Sequence, residues 1–513
     1  MLRSPYNPRL WLERSKILLK LSFPDLACGD AYKALQLIRD SKDGSSRLTH
    51  CVRLEVAKYL VSAHYSFANV LPTELLMRSN GMDKVIAHLN ELEYHSVVVL
   101  AEGLLIANSF QESLNLAQEN ARKFPDAHEL LAIRKAAKAA CAQRTTELEA
   151  AGNSWSEIQE DLRSGEVYVE TYPWMSNETS RRSDIIHFVN DNLKKASRDQ
   201  CYVKRSNIRD KIPMLSMNNA EMVADVFGIF AQTNIPRGRR VLKDYTCLCA
   251  VDDIADRCSA CYDLLSEVAV ESECCETKFC SSACLNNASK FHPAVCGKDL
   301  RKYECARESQ ASSIISVTES RLLLRALAIA VNFSDLHPLR APMISRLTSL
   351  HAGADPQEAR PFSLARSIAE PIDMLTRLGV DVYANHNFDT WVILTIGARL
   401  DINSRHSSET PEADQYYIAI NPLYTFFNHS CNPNVTYEHS KSGPDSILRM
   451  KTLRNVKAGE ELFINYLPAK DLALHVSERQ RRLRSWFGHD CQCVKCIKEM
   501  AKENAEDSEY EDE

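Results

Sequence analysis

Residues 428–434 read Asn-His-Ser-Cys-Asn-Pro-Asn, residues 459–466 read Gly-Glu-Glu-Leu-Phe-Ile-Asn-Tyr, and residues 491–496 read Cys-Gln-Cys-Val-Lys-Cys. The middle segment contains a strand-like run, Leu462–Tyr466, that ends on a tyrosine. The last places the thiols of Cys491, Cys493 and Cys496 within six residues, a spacing of metal ligands. Three thiolates are one short of the four that a structural zinc takes.

The cysteines around these segments fit the same chemistry. The chain has 513 residues, 18 of them cysteine, with 45% hydrophobic and 25% charged residues. That balance excludes a wholly disordered, collagen-like or membrane-embedded chain, and the length suggests about three domains. The longest apolar stretch, Val97 to Ala107, is interrupted by Glu102 and falls short of the ~20 residues that cross a bilayer. No apolar leader follows Met1, so the expectation is a soluble intracellular protein of the cytoplasm, the nucleus or both. There thiols stay reduced, and clustered cysteines read as metal ligands rather than disulfides. The net charge of −6 resides in residues 501–513, which hold seven acids and Lys502. The neutral remainder offers no footprint for general nucleic-acid binding. The acidic end reads as solvated and disordered.

The first 200 or so residues read as helical. Leu10, Leu18, Leu19 and Leu21 mark an apolar face, and Pro24 breaks it. Asp25 can cap the next helix, which runs through Ala27, Ala31, Ala34 and Leu35. Trp11, Ala27 and Ala34 have the offsets of a tetratricopeptide helix pair, but no clean 34-residue period follows, so unrelated stacked helices stay open as the alternative. A second pair spans about 93–123. Residues 147–210 read as linker and irregular structure. From Met222 the pattern turns to short β-type runs, with a turn at Pro236-Arg237-Gly238. Helical patterns return over 311–405, and strands at Tyr416–Ala419, Ile447–Met450 and Leu462–Tyr466.

Between these lies a block containing Cys258, Cys261, Cys274, Cys275, Cys280, Cys284, His292 and Cys296. Eight thiol and imidazole ligands within 39 residues suit two tetrahedral zinc ions. The order, with Cys280-x3-Cys284 and His292-x3-Cys296, resembles a MYND zinc finger. The resemblance implies interleaved sites: Cys258, Cys261, Cys280 and Cys284 for one zinc, Cys274, Cys275, His292 and Cys296 for the other. It also implies a module that binds peptides. The adjacent Cys274-Cys275 pair departs from the family's usual C-x2-C; Ser272 stands where a partner cysteine is expected.

The three opening segments, in that order, resemble those of a SET-domain protein methyltransferase. With the embedded finger, the chain resembles the SET and MYND (SMYD-like) proteins over about 221–496, and the fungal members in its helical N-terminal region. The resemblance implies a knotted fold in which residues 428–434 form one wall of an S-adenosylmethionine pocket. Asn428 and His429 would hold the cofactor, and Phe426 and Phe427 would pack beneath it. Gly228 and Phe230 would approach it from an early strand, and Asn403 from the end of a helix. Tyr466 would be the catalytic tyrosine, orienting a substrate lysine amine. Cys431 would complete a third zinc site with Cys491, Cys493 and Cys496. Two departures stand out: Val226 replaces the first glycine of a G-x-G motif, and Phe487, beside Trp486, replaces a tyrosine while keeping an aromatic wall to the cofactor. The basic run Arg479, Arg481, Arg482 and Arg484 reads as a solvated helix face, with nuclear localisation or substrate docking as alternatives.

The expected architecture is α+β and multidomain: all-α helical-repeat region with linker (1–205), first SET part (206–257), MYND-like finger (258–296), helical insert (297–415), SET core (416–470), post-SET zinc segment (471–500) and acidic tail (501–513). The expected activity is S-adenosylmethionine-dependent lysine methylation of proteins, with three zinc ions and with partner proteins or peptides held by the helical and MYND-like modules. The alternative is a catalytically weak SET-fold scaffold.

Overall fold

The structure is a computed structural model that describes residues 3–63, 70–124, 127–168, 172, 174, 184–208, 226–304, 314–348, 359–407, 416–437, 447–487 and 490–511. The chain divides into two units, Met1–Tyr168 with Ala359–Leu394, and Val169–Glu358 with Thr395–Glu513. Strands are β1 (Gly165–Tyr168), β2 (Cys201–Arg205), β3 (Phe227–Ala231), β4 (Arg240–Tyr245), β5 (Leu248–Val251), β6 (Val270–Glu271) and β7 (Lys278–Phe279). They continue with β8 (Ala359–Phe362), β9 (Arg405–His406), β10 (Tyr417–Ile420), β11 (Asn428–His429), β12 (Val435–Tyr437), β13 (Ile447–Thr452) and β14 (Glu461–Ile464).

The first unit is a helical layer. Asn7 accepts from Arg9 N and caps α1 (Pro8–Lys20); Pro24 opens α2 (Pro24–Asp43), which ends at Gly44 with φ 74°. There follow α3 (Thr49–Ala63), α4 (Pro72–Met77), α5 (Ser79–Ile106), α6 (Phe110–Ala121), α7 (His128–Ala150) and α8 (Trp155–Arg163). Trp11, Ala27 and Ala34 are buried where α1 meets α2, and α2 packs in turn on α5. Helix lengths from 6 to 28 residues leave no regular repeat.

Residues 359–394 return to this layer, which corrects the expectation of one continuous insert over 297–415. β8 pairs antiparallel with β1, and Glu112 on α6 accepts Leu364 N at 2.7 Å. Asp389 accepts from the Arg14 guanidinium at 2.9 Å and lies 3.4 Å from the buried Lys33 ammonium. These pairs stand more than 350 residues apart in the chain, beyond any local pattern.

The second unit contains α9 (Asp184–Ser197), α10 (Ser282–Ala288), α11 (His292–Val295), α12 (Arg301–Glu304), α13 (Ile314–Asn332), α16 (Val476–Phe487) and α17 (Val494–Glu511); α14 (Glu370–Arg377) belongs to the first unit, and α15 (Thr390–Asn403) begins in the first and ends in the second. Its sheets run β11-β14-β3-β2, β12-β13-β4 and β5-β10-β9, with β6-β7 as a hairpin. Val203, Ile229, Leu242, Phe426, Met450 and Leu462 meet in one core, closed by Val189 and Leu193 of α9. Burying such side chains contributes about 1.5–3 kcal/mol each.

Two further expectations change. The stretch 147–210 is not linker throughout: α8, β1, α9 and β2 lie within it. The Ser154–Glu157 capping box starts α8, while four- and five-residue strands are too short to show a period. Residues 501–511 continue α17 instead of being irregular. Alanine, glutamate and lysine favour helix, and repulsion between acids costs only tenths of a kcal/mol per pair.

Candidate functional site

Strand alternation divides the β11-β14-β3-β2 sheet into two faces. Ile229, Ala231, Val203 and Leu462 point into the core. Gly228 and Phe230 of β3, Tyr202 and Lys204 of β2, and Glu461 of β14 take the other face, with Asn428 beside them. Asn428 donates through Nδ2 to Glu461 Oε1 at 2.7 Å and to Phe227 O at 3.2 Å. Glu461 Oε2 accepts from Ser206 Oγ at 2.8 Å. A Cβ at position 228 would lie 2.1 Å from Glu461 Oε1 and 3.0 Å from Asn428 Nδ2. Gly228 is therefore demanded by close packing of a polar pair, not by φ. The Val226 carbonyl accepts Ser206 N at 2.7 Å.

Segment 428–434 lies along β14. Asn428 and His429 pair in parallel with Phe463 and Ile464. Asn434, 1% exposed, donates to Glu461 O at 2.8 Å and accepts Phe463 N at 2.7 Å, so its amide works as an additional strand residue. His429 Nδ1 accepts Tyr466 N at 2.9 Å, which leaves the proton on Nε2, 3.3 Å from Cys431 Sγ. Burial lowers its pKa to about 4, so the ring stays neutral. Tyr466 donates through its hydroxyl to Phe427 O at 2.8 Å, and its ring lies 5.3 Å from His429 and 6.2 Å from Trp486.

Not every expected cofactor contact has this form. The Phe426 and Phe427 rings are buried in the core, and Phe427 meets Tyr466 through its carbonyl. Both His429 ring nitrogens are engaged within the chain. The Asn403 amide is turned onto Thr348 N and O and Arg399 O, at 2.8–3.1 Å, so its side chain is not free for a cofactor in this arrangement. Phe230 stacks beneath Lys204, whose Nζ is 4.1 Å from the ring centroid. The Phe487 side chain lies outside the described residues.

The structure gathers three sets of ligand atoms, each set within 4.8 Å: Cys258, Cys261, Cys280 and Cys284; Cys274, Cys275, His292 and Cys296; and Cys431, Cys491, Cys493 and Cys496. A tetrahedral zinc with Zn–S of about 2.3 Å sets sulfurs about 3.8 Å apart. The Cys261–Cys280, Cys280–Cys284, Cys274–Cys296 and Cys431–Cys496 separations are 3.6, 3.5, 3.6 and 3.5 Å. The donor sets fit zinc. Adjacent Cys274 and Cys275 both reach His292 Nε2, at 3.2 and 3.4 Å, and Ser272 Oγ lies 3.1 Å from Cys274 Sγ. The first set is largely buried; in the second Cys274 is exposed and the other three are half-buried. Arg325 of α13 fixes the finger's first turn: it donates to Ala260 O at 2.6 Å and lies over Tyr262 and Phe291 at 4.2 and 4.8 Å.

The third set packs with Tyr466 and Trp486. Arg479, 1% exposed, reaches Cys496 Sγ at 3.6 Å and pairs with Glu499. Four thiolates around one Zn2+ leave a net −2, so a buried guanidinium beside them is stabilising. The basic run is thus neither a bare solvated face nor an open docking patch. Arg481 and Arg482 pair with Glu478, Arg482 also with Asp471, and Arg484 with Asp490. Sequence reasoning missed Glu461 and Arg479. Glu461 stands in the Gly-Glu-Glu-Leu segment already singled out; Arg479 had no local signal beyond its position in a basic helix.

Residues 226–467 match the SET domain family. The chain is 22% identical over 287 residues to the SET domain and MYND-type zinc finger protein 6 of Schizosaccharomyces pombe, covering 55% of this chain and 52% of that one. It is 34% identical over 85 residues to the mouse histone-lysine N-methyltransferase SMYD3, 17% of this chain and 18% of that protein. It is 35% identical over 115 residues to the putative SET domain-containing protein L678 of Acanthamoeba polyphaga mimivirus, 22% and 40% of the two lengths. Among the described residues no helix is long and apolar enough to cross a membrane. Each of these relatives is matched over about half of its own length or less; by the SET match, the two Cys/His tetrads of 258–296 within it and these relatives, the chain is similar to the SET and MYND domain proteins.

Proposed function

We propose that this chain is a protein-lysine N-methyltransferase that uses S-adenosylmethionine. The observation that carries the reading is the gathering of Gly228, Asn428 and Glu461 on one face of the β11-β14-β3-β2 sheet, with the Tyr466 hydroxyl held on Phe427 O, next to Asn428. The cofactor supplies an electrophilic methyl on a cationic sulfur. Ring faces and carbonyl oxygens attract such a cation, and the Tyr466 and Trp486 rings with Phe427 O are groups of that kind. Asn428 and the β3 backbone at Gly228 and Phe230 are the groups to hold it, with the backbone of His429.

The chain's own part is positioning. A lysine amine attacks only when neutral, and a water-poor channel disfavours its ammonium form. Tyr466, whose O–H is committed to Phe427, keeps its oxygen lone pairs as acceptors for that amine. Holding amine and methyl in line is worth about 7–11 kcal/mol. The third cysteine tetrad, loaded with zinc, holds the C-terminal segment against Tyr466; the two finger tetrads, also with zinc, and the helical layer serve protein or peptide partners.

Titration calorimetry of the full chain with S-adenosylmethionine tests the reading, together with radiolabelled methyl transfer to lysate proteins. Binding and lysine-directed transfer are expected, and Tyr466→Phe should abolish transfer while binding remains. No heat at high micromolar cofactor would leave the scaffold as the better account.

A further inference from the structure

A cavity of about 640 Å3 lies between the C-terminal end of α9, the turn and strand 238–245, and residues 422–423. It shares no lining residue with the face of Gly228, Asn428, Glu461 and Tyr466. Its walls carry Lys195, Arg198, Arg239, Arg240, Lys243 and Arg346. The acid in the wall, Asp244, is 2% exposed, and its carboxylate is occupied by the backbone N–H groups of Leu423 and Tyr424 at 2.8 and 2.7 Å. Among the described residues, Lys195, Arg198, Arg239, Arg240 and Lys243 make no ion pair; neighbouring Lys194 is the one that pairs, with Asp199.

The register adds an independent observation. On the next strand, Arg449 stands opposite Lys243 and Lys451 opposite Arg240. Like charges directly opposite each other destabilise a sheet. Edge-strand cations also guard against aggregation, and β4 is an edge strand. A guard does not explain why Lys195 and Arg198 of α9, and Arg346 from another segment, converge on the same cavity. A bound anion does, because it offsets the repulsion.

We propose that this cavity docks an acidic segment of another protein. The shape favours an extended chain over a compact anion: β4 spreads Arg240 and Lys243 over about 10 Å, Arg239 extends the row before it, and alternate side chains of a bound strand recur about every 6.6 Å. The chain's own acidic end is the weaker occupant. It continues α17, whose Glu499 and Glu503 already pair with Arg479, Lys495 and His475. The docking stands whether or not methyl transfer does, since it is read by binding alone.

The test is fluorescence anisotropy of the full chain with a labelled peptide of alternating glutamate and serine. Binding that weakens with salt, falls about tenfold or more in R239E/R240E/K243E, and is absent for the glutamine counterpart is expected. Lys195→Gln with Arg198→Gln, a milder pair on exposed positions, should weaken it less; circular dichroism verifies that each variant is folded. Absent binding, or binding unchanged in both variants, overturns the proposal. So does inositol hexakisphosphate displacing the peptide at far lower concentration than unlabelled peptide does, which would mark a compact-anion site. Tighter peptide binding once the acids of 506–513 are changed to amides would also overturn it, by naming the chain's own end as occupant.

Discussion

Gly228→Ala is a one-carbon change aimed at the centre of the proposed site. The added Cβ would fall 2.1 Å from Glu461 Oε1 and 2.8 Å from its Cδ, where real contacts do not go below 3.0 Å. In a close-packed interior the carboxylate has to retreat by roughly 1 Å. That stretches its 2.7 Å bond from Asn428 and its 2.8 Å bond from Ser206 together. Overpacking costs about 1–3 kcal/mol, and a hydrogen bond to a charged group is worth about 1.5–3. Since the bonds are stretched rather than lost, a net loss of about 2–4 kcal/mol is expected. For a unit of this size it lowers Tm by roughly 3–6 °C. Scanning fluorimetry gives Tm and calorimetry gives cofactor affinity, which should fall at least about tenfold because Asn428 moves with its partner. The double variant Gly228→Ala/Glu461→Ala removes the clash, so its loss should be smaller than the sum of the two single losses. A Gly228→Ala chain with unchanged Tm and unchanged affinity would refute the packing argument, and strict additivity would refute the pairing with Glu461.

Elemental analysis of purified protein should give three zinc ions per chain, and a mild chelator should first remove the one at the more accessible Cys274, Cys275, His292 and Cys296 set. Two ions that leave together would count against that ordering. Arg479→Met should weaken retention of the third zinc while the finger sites keep theirs, read as metal release over time; equal retention would deny the guanidinium its part. Burial raises the Asp244 pKa to about 7, only partly offset by the N–H groups of Tyr424 and Leu423. Its folded value thus exceeds its unfolded one, so stability is fully present below about pH 4 and is lost as pH rises through about 7, by at most about 4 kcal/mol. Asp244→Asn should flatten the pH dependence of the urea midpoint between about pH 4.5 and 7 relative to the parent chain, and an equal slope in both would sink the assignment.

What the sequence disclosed and what it withheld divide by range. Cys258-x2-Cys261, Cys280-x3-Cys284 and Cys491-x-Cys493-x2-Cys496 each fit on one turn, so chemistry and spacing coincide in the chain itself. Trp11, Ala27 and Ala34 were legible for the same reason: helix periodicity is local. The return of 359–394 to the N-terminal helices was not, because it rests on Asp389 meeting Arg14 and Lys33, and on β8 meeting β1. Glu461 was hidden differently. On a strand it reads as an exposed acid, and its meaning comes from Gly228, more than 230 residues earlier, leaving room for its carboxylate. Arg479 sat in a run whose other members pair locally at the surface, so nothing in the run singled out the one residue that is buried.

The Cys431 set and Tyr466 are also joined by side chains. His429 links them, with one nitrogen toward Cys431 Sγ and the other taking the Tyr466 N–H. A protonated ring cannot accept at Nδ1, so the arrangement requires neutral imidazole, and burial ensures it. Arg479, 3.6 Å from Cys496 Sγ, supplies positive charge to the thiolates, which His429 cannot give while neutral. Cys431 thus ties Asn428 and His429, within the same short segment, to a C-terminal segment about 60 residues away. Metal binding at such a site contributes directly to folding. The geometry of Tyr466 therefore depends on a ligand set to which it contributes no atom.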